Sequence, residues 1–216
     1  MRLVILGLQG SGKTHLAKEA IIPHYGGKYI VFDPNSEYKG FTRYVPKFTD
    51  DTGALQDELK LFIRRFILPN CQTLEDIESG KKEKKNRLRC VVFDEADLIA
   101  PSRANIPAAL RDLVVRSRHL RIDVIFISRR PTDLSAYLMD TANYLVVFKQ
   151  VGYNALKTMR ALKLDSDEAI KGLDFARHEF LLFDLEREYQ KLTAETFPAG
   201  ILCETVIMHG KNKTTQ

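Results

Sequence analysis

A chain of 216 residues, 44% hydrophobic and 28% charged, suits one α/β domain with a sizeable core and leaves little room for a second folded module. Its formal net charge of +5 permits a polyanionic partner without demanding one, and its three cysteines, Cys71, Cys90 and Cys203, are an odd set without C-x-x-C spacing, which suggests neither a disulfide framework nor a zinc site. The first strand-like run begins at residue 2 and no apolar stretch approaches the roughly 18 residues that span a bilayer, so a soluble protein without a signal peptide is expected.

The first run, Arg2 to Leu6, leads into GLQGSGKT at residues 7 to 14, a full G-x-x-x-x-G-K-[ST] phosphate-binding loop followed by a helix-like stretch from about Lys13. Glycines at 7, 10 and 12 let the backbone fold tightly enough for successive N–H groups to face phosphate oxygens. Gly10, Ser11, Gly12, Lys13, Thr14 and His15 are the expected nucleotide contacts. Lys13 supplies charge toward the β and γ phosphates, and the Thr14 hydroxyl is a Mg²⁺ ligand.

Further strands are expected over 28–32, 89–93, 123–127 and 144–148. They are mostly continuous apolar runs, as in a parallel sheet covered on both faces. Between them, Leu55, Leu59, Phe62 and Phe66 recur at helical spacing, so residues 52–67 should lay that face on the sheet. Short helices are expected over 152–162 and 166–172, then a hairpin of 179–184 with 189–192. A last strand is expected over 201–208 and a frayed basic tail over 210–216, the single domain ending at 209.

Residues 89–97, RCVVFDEAD, form an apolar strand that ends in paired carboxylates, a Walker B pattern. Loops at the carboxyl ends of parallel strands meet at one edge, so Asp94 is expected beside the phosphate loop, holding Mg²⁺ through a water. Glu95 follows where a carboxylate orients and deprotonates an attacking water, which favours hydrolysis over transfer to a second substrate. Asp97 reads as a helix cap or an exposed acid. No guanine-type N-K-x-D stands in a suitable place, so ATP is the default nucleotide. The five histidines lack metal-ligand spacing, and Arg177 and His178 are candidates for a subunit boundary.

Residues 116–131, RSRHLRIDVIFISRRP, resemble a segment of the FtsK and HerA superfamily of hexameric DNA-pumping ATPases, in which an arginine precedes an apolar strand ending in a polar residue and an Arg-Pro pair. The segment DPNSEY at 33–38 is similar to that family's D-P-x-G-E-Y, with Ser36 in place of the glycine. The resemblance implies a RecA-like P-loop fold: a mostly parallel sheet sandwiched by helices. It puts Arg118 at the arginine finger that reaches a neighbouring subunit's γ-phosphate and Ser128 at the polar sensor position. Arg116 is the rival finger, and a helix-end arginine without catalytic role is the alternative for Arg118. Arg129 stands where the family often has Gln, which leaves it to sense phosphate, touch DNA or face solvent.

So bare a core is most similar to the small genome-packaging ATPases of membrane-containing icosahedral viruses, archaeal ones included. That likeness implies an ATP- and Mg²⁺-dependent ring, hexameric or of another size. Its track would be double-stranded DNA, and capsid or inner-membrane proteins of a virion would be further partners, in the host cytoplasm or virion-associated. Lys81, Lys82, Lys84 and Lys85, in the basic run 80–89, are the candidate DNA contacts, with a solvated loop as the alternative. A virion or filament assembly ATPase that does not pump DNA and a small-molecule kinase are the other functional readings.

Overall fold

In a computed structural model the described residues are 1–47, 49–82, 84, 87–164 and 167–203, with only the backbone of Cys203 included. Eight strands form one sheet: β1 (Arg2–Leu6), β2 (Tyr29–Phe32), β3 (Arg43–Tyr44), β4 (Cys90–Phe93), β5 (Asp123–Ser128), β6 (Tyr144–Phe148), β7 (Phe180–Phe183) and β8 (Tyr189–Leu192). Their order is β3-β2-β4-β5-β1-β6-β7-β8. The first six run parallel and the last two join as antiparallel neighbours, so the late hairpin extends the main sheet.

Alternation along each strand divides the core in two. Val4 and Leu6 of β1, Val91 and Phe93 of β4, and Val124 and Phe126 of β5 face one layer, whereas Leu3, Ile5, Cys90, Val92, Ile125 and Ile127 face the other. Both faces are covered, which is why the strands read as unbroken apolar runs. The first layer is closed by α2 (Thr52–Phe62), α4 (Ala96–Ile99), α5 (Ala108–Arg116), α6 (Ala136–Asp140), α7 (Tyr153–Ala161) and α8 (Asp167–Lys171). The second is closed by α1 (Lys13–Leu16), which continues through a π-type turn (Ala17–Ile21) and a 3₁₀ turn (Ile22–Tyr25), with Tyr38, Phe197 and Leu202. The remaining helix, α3 (Leu74–Glu78), is closed by a capping box between Thr73 and Asp76.

Two expectations need correction. Phe66 is 43% exposed, while Ile63 and Ile67 are buried. The helix holds the 3.6-residue spacing through Leu55, Leu59 and Phe62, then enters a π-type turn over Ile63–Ile67. The wider turn carries Ile67, five residues after Phe62, into the core position that four-residue spacing assigned to Phe66. Phe66 instead lies against the Tyr44 ring, centroids 5.5 Å apart. The expected last strand begins at Ile201, but Ala199–Cys203 forms a 3₁₀ turn, and 204–216, which includes the basic tail, lies outside the described residues. The two-residue β3 has no periodicity to reveal it.

Candidate functional site at the carboxyl edge of the sheet

The parallel register puts the ends of β1, β4 and β5 side by side, since Leu6 pairs with Ser128 and Phe93 with Phe126. The phosphate loop leaves β1 there, tied back by the Gly7 N–H donating to the Ser128 carbonyl at 3.2 Å. Gly10 and Gly12 take left-handed backbone, with φ of 76° and 103°, which glycine adopts without a Cβ penalty. Lys13 turns back over the loop and donates to the carbonyls of Gly7 (2.7 Å) and Leu8 (3.0 Å). Burial lowers its pKa below the ordinary lysine value, against the pull of Glu95 and Asp94. The Ser11 hydroxyl is buried and has no hydrogen-bond partner among the described residues.

Asp94 and Glu95 arrive from β4 as the Walker B pattern predicts. Asp94 is 4% exposed, and burial, reinforced by Glu95, Glu37 and Asp33, pushes its carboxyl up to about 7. Glu95 takes left-handed backbone, φ 46° and ψ 51°, at the N-cap of α4. Its Oε1 accepts from Asn35 Nδ2 at 3.1 Å and from Arg129 Nη2 and Nε at 3.0 and 3.3 Å. Arg129, for which sequence left three roles open, is thus the ion-pair partner of Glu95.

The DPNSEY segment explains itself physically. Asp33, fully buried, accepts from the N–H groups of Glu37 and Tyr38, both at 2.9 Å, and from Arg43 Nη1 at 2.8 Å. This folds the chain after β2 into a tight turn in which Ser36 has φ 57°, the left-handed conformation that makes glycine natural at that position. The turn aims Glu37 at the phosphate loop, where its Oε2 accepts from Thr14 Oγ1 at 3.1 Å and its carbonyl accepts from Lys18 Nζ at 2.8 Å. The segment was singled out in the sequence, but the contacts of Asn35 and Glu37 were not read from it.

Ser128 is fully buried and donates to Asp97 Oδ1 at 2.8 Å, so the acid expected as a cap or exposed group instead fixes the hydroxyl at the end of β5. His178, a candidate for a subunit boundary, packs on the chain's own phosphate loop: its Nδ1 lies 3.2 Å from the Ser11 carbonyl oxygen, and its ring is 5.9 Å from that of His15.

The remaining candidates lie at the other edge. Arg118 is exposed in the turn between α5 and β5, at the amino end of a six-residue strand whose carboxyl end meets the phosphate loop. At about 3.3 Å per residue that is about 20 Å from Lys13, too far to serve its own site. Among the described residues the Arg118 side chain has no hydrogen-bond or ion-pair partner, whereas Arg116 pairs with Asp112 at 3.3 Å. The basic run precedes β4 at this same edge. Lys81 pairs with Asp76 at 2.7 Å, Lys84 donates to the carbonyls of Pro69 and Cys71 at 2.9 and 3.0 Å, and Lys82 is exposed. Lys85 lies outside the described residues.

No protein-family model matches the sequence, and no curated protein is similar to it at the sequence level. Solved structures are similar. The genome packaging NTPase B204 of Sulfolobus turreted icosahedral virus 2, in complex with ATP-gammaS, matches with a TM-score of 0.66 at 19% identity, over 88% of this chain and 95% of that one. B204, the DNA-packaging ATPase of Sulfolobus turreted icosahedral virus, matches with a TM-score of 0.65 at 21% identity over the same shares. The conjugation coupling protein TcpA of pCW3 matches with a TM-score of 0.55 at 16% identity, over 94% of this chain and 64% of that one. Among the described residues no helix is long and apolar enough to cross a membrane. Over most of its length the chain therefore has the P-loop NTPase fold of the viral genome-packaging enzymes, the α/β architecture that the FtsK and HerA resemblance implied.

Proposed function

We propose that this protein is a Mg²⁺-dependent ATP hydrolase that acts as a ring and moves double-stranded DNA without regard to sequence, packaging a viral genome. The observation that carries this reading is the division of the chemistry between the two edges of the sheet. Lys13, Thr14, Asp94 and Glu95 converge at one edge, and Arg118, exposed and without a hydrogen-bond or ion-pair partner among the described residues, stands at the other, about 20 Å from the Lys13 of its own chain.

The residues fit a Mg²⁺-nucleotide. Among the described residues the buried Ser11 hydroxyl lacks a hydrogen-bond partner, Lys13 Nζ donates to loop carbonyls, and Asp94 is crowded by Glu95, Glu37 and Asp33 with Lys13 as a nearby cation. Bound Mg²⁺ supplies charge neutralisation at the β and γ oxygens. Thr14 Oγ1 would hold it directly and Asp94 through water, while loop N–H groups and Lys13 hold the phosphates. Glu95 has Oε1 engaged by Asn35 and Arg129, which leaves Oε2 to accept the proton of an attacking water. A water-activating carboxylate at this position favours hydrolysis over a kinase reaction. The DNA track and the packaging role rest on the likeness to B204 together with the DPNSEY and Arg118 segments.

The test measures ATP turnover with and without long double-stranded DNA, alongside oligomer mass. DNA-stimulated turnover in a ring is expected. A confirmed ring whose turnover ignores DNA would replace this reading with an ATPase of virion or filament assembly.

A further inference from the structure

The loop between α8 and β7 lies on the phosphate loop, and no role in catalysis has been given to it. Because β7 runs antiparallel to β6, with Phe180 paired to Phe148, the residues just before β7 arrive at the nucleotide edge. The Phe175 ring sits over Gly10, where a Cβ would lie 3.5 Å from Cζ. The His178 imidazole rests against Gly12, where a Cβ would meet Cγ at 2.8 Å. His178 is itself in left-handed backbone, φ 51°.

Hydrogen bonds within this strap and to the hairpin hold it. Asp174 Oδ1 accepts from the Ala176 N–H at 2.9 Å. Glu179 Oε2 accepts from the Asp174 N–H at 2.8 Å and from Lys191 of β8 at 2.7 Å, which pins the base of the strap to the hairpin. Yet Phe175, at its tip, is 40% exposed, and His15, the ring neighbour of His178, is exposed as well. A hydrogen-bonded mount that leaves an aromatic ring in water at the mouth of a site suits stacking.

Orientation decides what stacks. Lys13, Asp94 and Glu95 define the γ end of a bound triphosphate, so the α-phosphate and the nucleoside lie toward the other end of the loop, beyond Thr14. His15 and His178 flank that end, with ring centroids 5.9 Å apart. The phosphate loop alone cannot tell a nucleotide from inorganic polyphosphate, since its N–H groups read only phosphate oxygens.

We infer that the strap Asp174–His178 is the nucleoside-side wall of the site, with Phe175 supplying the stacking face for the base and His178 and His15 bordering the ribose and α-phosphate. The inference rests on the nucleotide-binding reading above and deepens it.

Calorimetry on the full-length chain tests it with two probes, ATP and inorganic tripolyphosphate, each with Mg²⁺. Phe175→Ala should weaken ATP binding about tenfold or more, as loss of a base–aromatic stack does, and leave tripolyphosphate unchanged. Phe175→Trp should restore ATP affinity and show fluorescence quenching with ATP but not with tripolyphosphate. His178→Ala should likewise weaken ATP more than tripolyphosphate. Equal losses for both probes would make the strap a brace of the phosphate loop, and no loss for either would make it a bystander; each outcome overturns the inference. Lys13→Ala separates the two layers of argument, because it should weaken both probes. If it weakens neither, the nucleotide site itself is misplaced and the inference falls with it.

Discussion

The carboxyl and amino ends of the strands hold similar residues and treat their charges in opposite ways. At the carboxyl end Asp94 is buried among Glu95, Glu37 and Asp33, its carboxyl raised to about 7, and Glu95 and Ser36 are held in left-handed backbone. At the amino end the buried Asp123 has a partner on each oxygen: the Met1 amino nitrogen on Oδ1 and the Tyr25 hydroxyl on Oδ2, both at 2.7 Å. Arg87, also buried, donates to the Arg121 carbonyl at 3.0 Å. One edge settles its charges internally and so is structural. The other pairs Glu95 with Arg129 and Asp33 with Arg43 but leaves Asp94 unsettled among acids, which is the electrostatic form of a site built for a charged ligand. Arg118 is an exception at the settled edge, an exposed cation without a hydrogen-bond or ion-pair partner among the described residues.

Removing that exception is the largest expected effect. Arg118→Ala should lower ATP turnover by about 10³- to 10⁵-fold, the range of a trans arginine on phosphoryl transfer, without weakening ATP binding. Mixing Arg118→Ala chains with Glu95→Gln chains should restore turnover at interfaces where an intact Glu95 site meets an intact Arg118. Mixed assemblies that stay inactive would end the trans assignment. At the unsettled edge, Glu95→Gln should retain ATP binding and slow single-turnover hydrolysis by about 10²- to 10⁴-fold, the usual contribution of a positioned base. Turnover that survives the change would remove Glu95 from the chemistry.

The contrast also has a sign in pH. The Asp94 carboxyl is raised from 3.8 to about 7, so between about pH 4 and 7 the folded chain keeps a proton that the unfolded chain releases. This contribution to stability is fully present below pH 4 and is lost as pH rises through 7. In metal-free buffer at pH 8, Asp94→Asn should therefore be more stable than the parent by roughly 2–4 kcal/mol, and the advantage should vanish near pH 4. Thermal melts of both proteins across pH check this. Parallel curves would mean that the acids at this edge are better compensated than their burial implies.

What the sequence disclosed divides along the same line. The glycines at 7, 10 and 12, the strand ending in Asp94-Glu95 and the unbroken apolar runs are local patterns with one physical meaning each, so the sheet and the phosphate and acid positions were legible. Contacts between distant segments were not. Asn35 and Arg129 meet on one oxygen of Glu95 only because β2, β4 and β5 end side by side, and His178 reaches Ser11 only because β7 reverses direction. Phe66 misled for a different reason: a π-type turn changes the helical period inside an apolar run, and no residue type in that run marks it.

The smallest effects belong to the basic run at the settled edge, where Lys82 and Lys84 should separate. Lys84 Nζ satisfies the carbonyls of Pro69 and Cys71, so Lys84→Ala should cost about 0.5–1.5 kcal/mol of stability and change DNA affinity little. Lys82 is exposed, and its side chain has no hydrogen-bond or ion-pair partner among the described residues. Lys82→Ala should leave the melting temperature unchanged and, if the run touches DNA, reduce the slope of log affinity against log salt by about 0.9 for each chain in contact. Fluorescence anisotropy with a long duplex, titrated at several salt concentrations, reads both variants. An unchanged slope for Lys82→Ala would take the run out of the DNA path and leave it as a solvated loop.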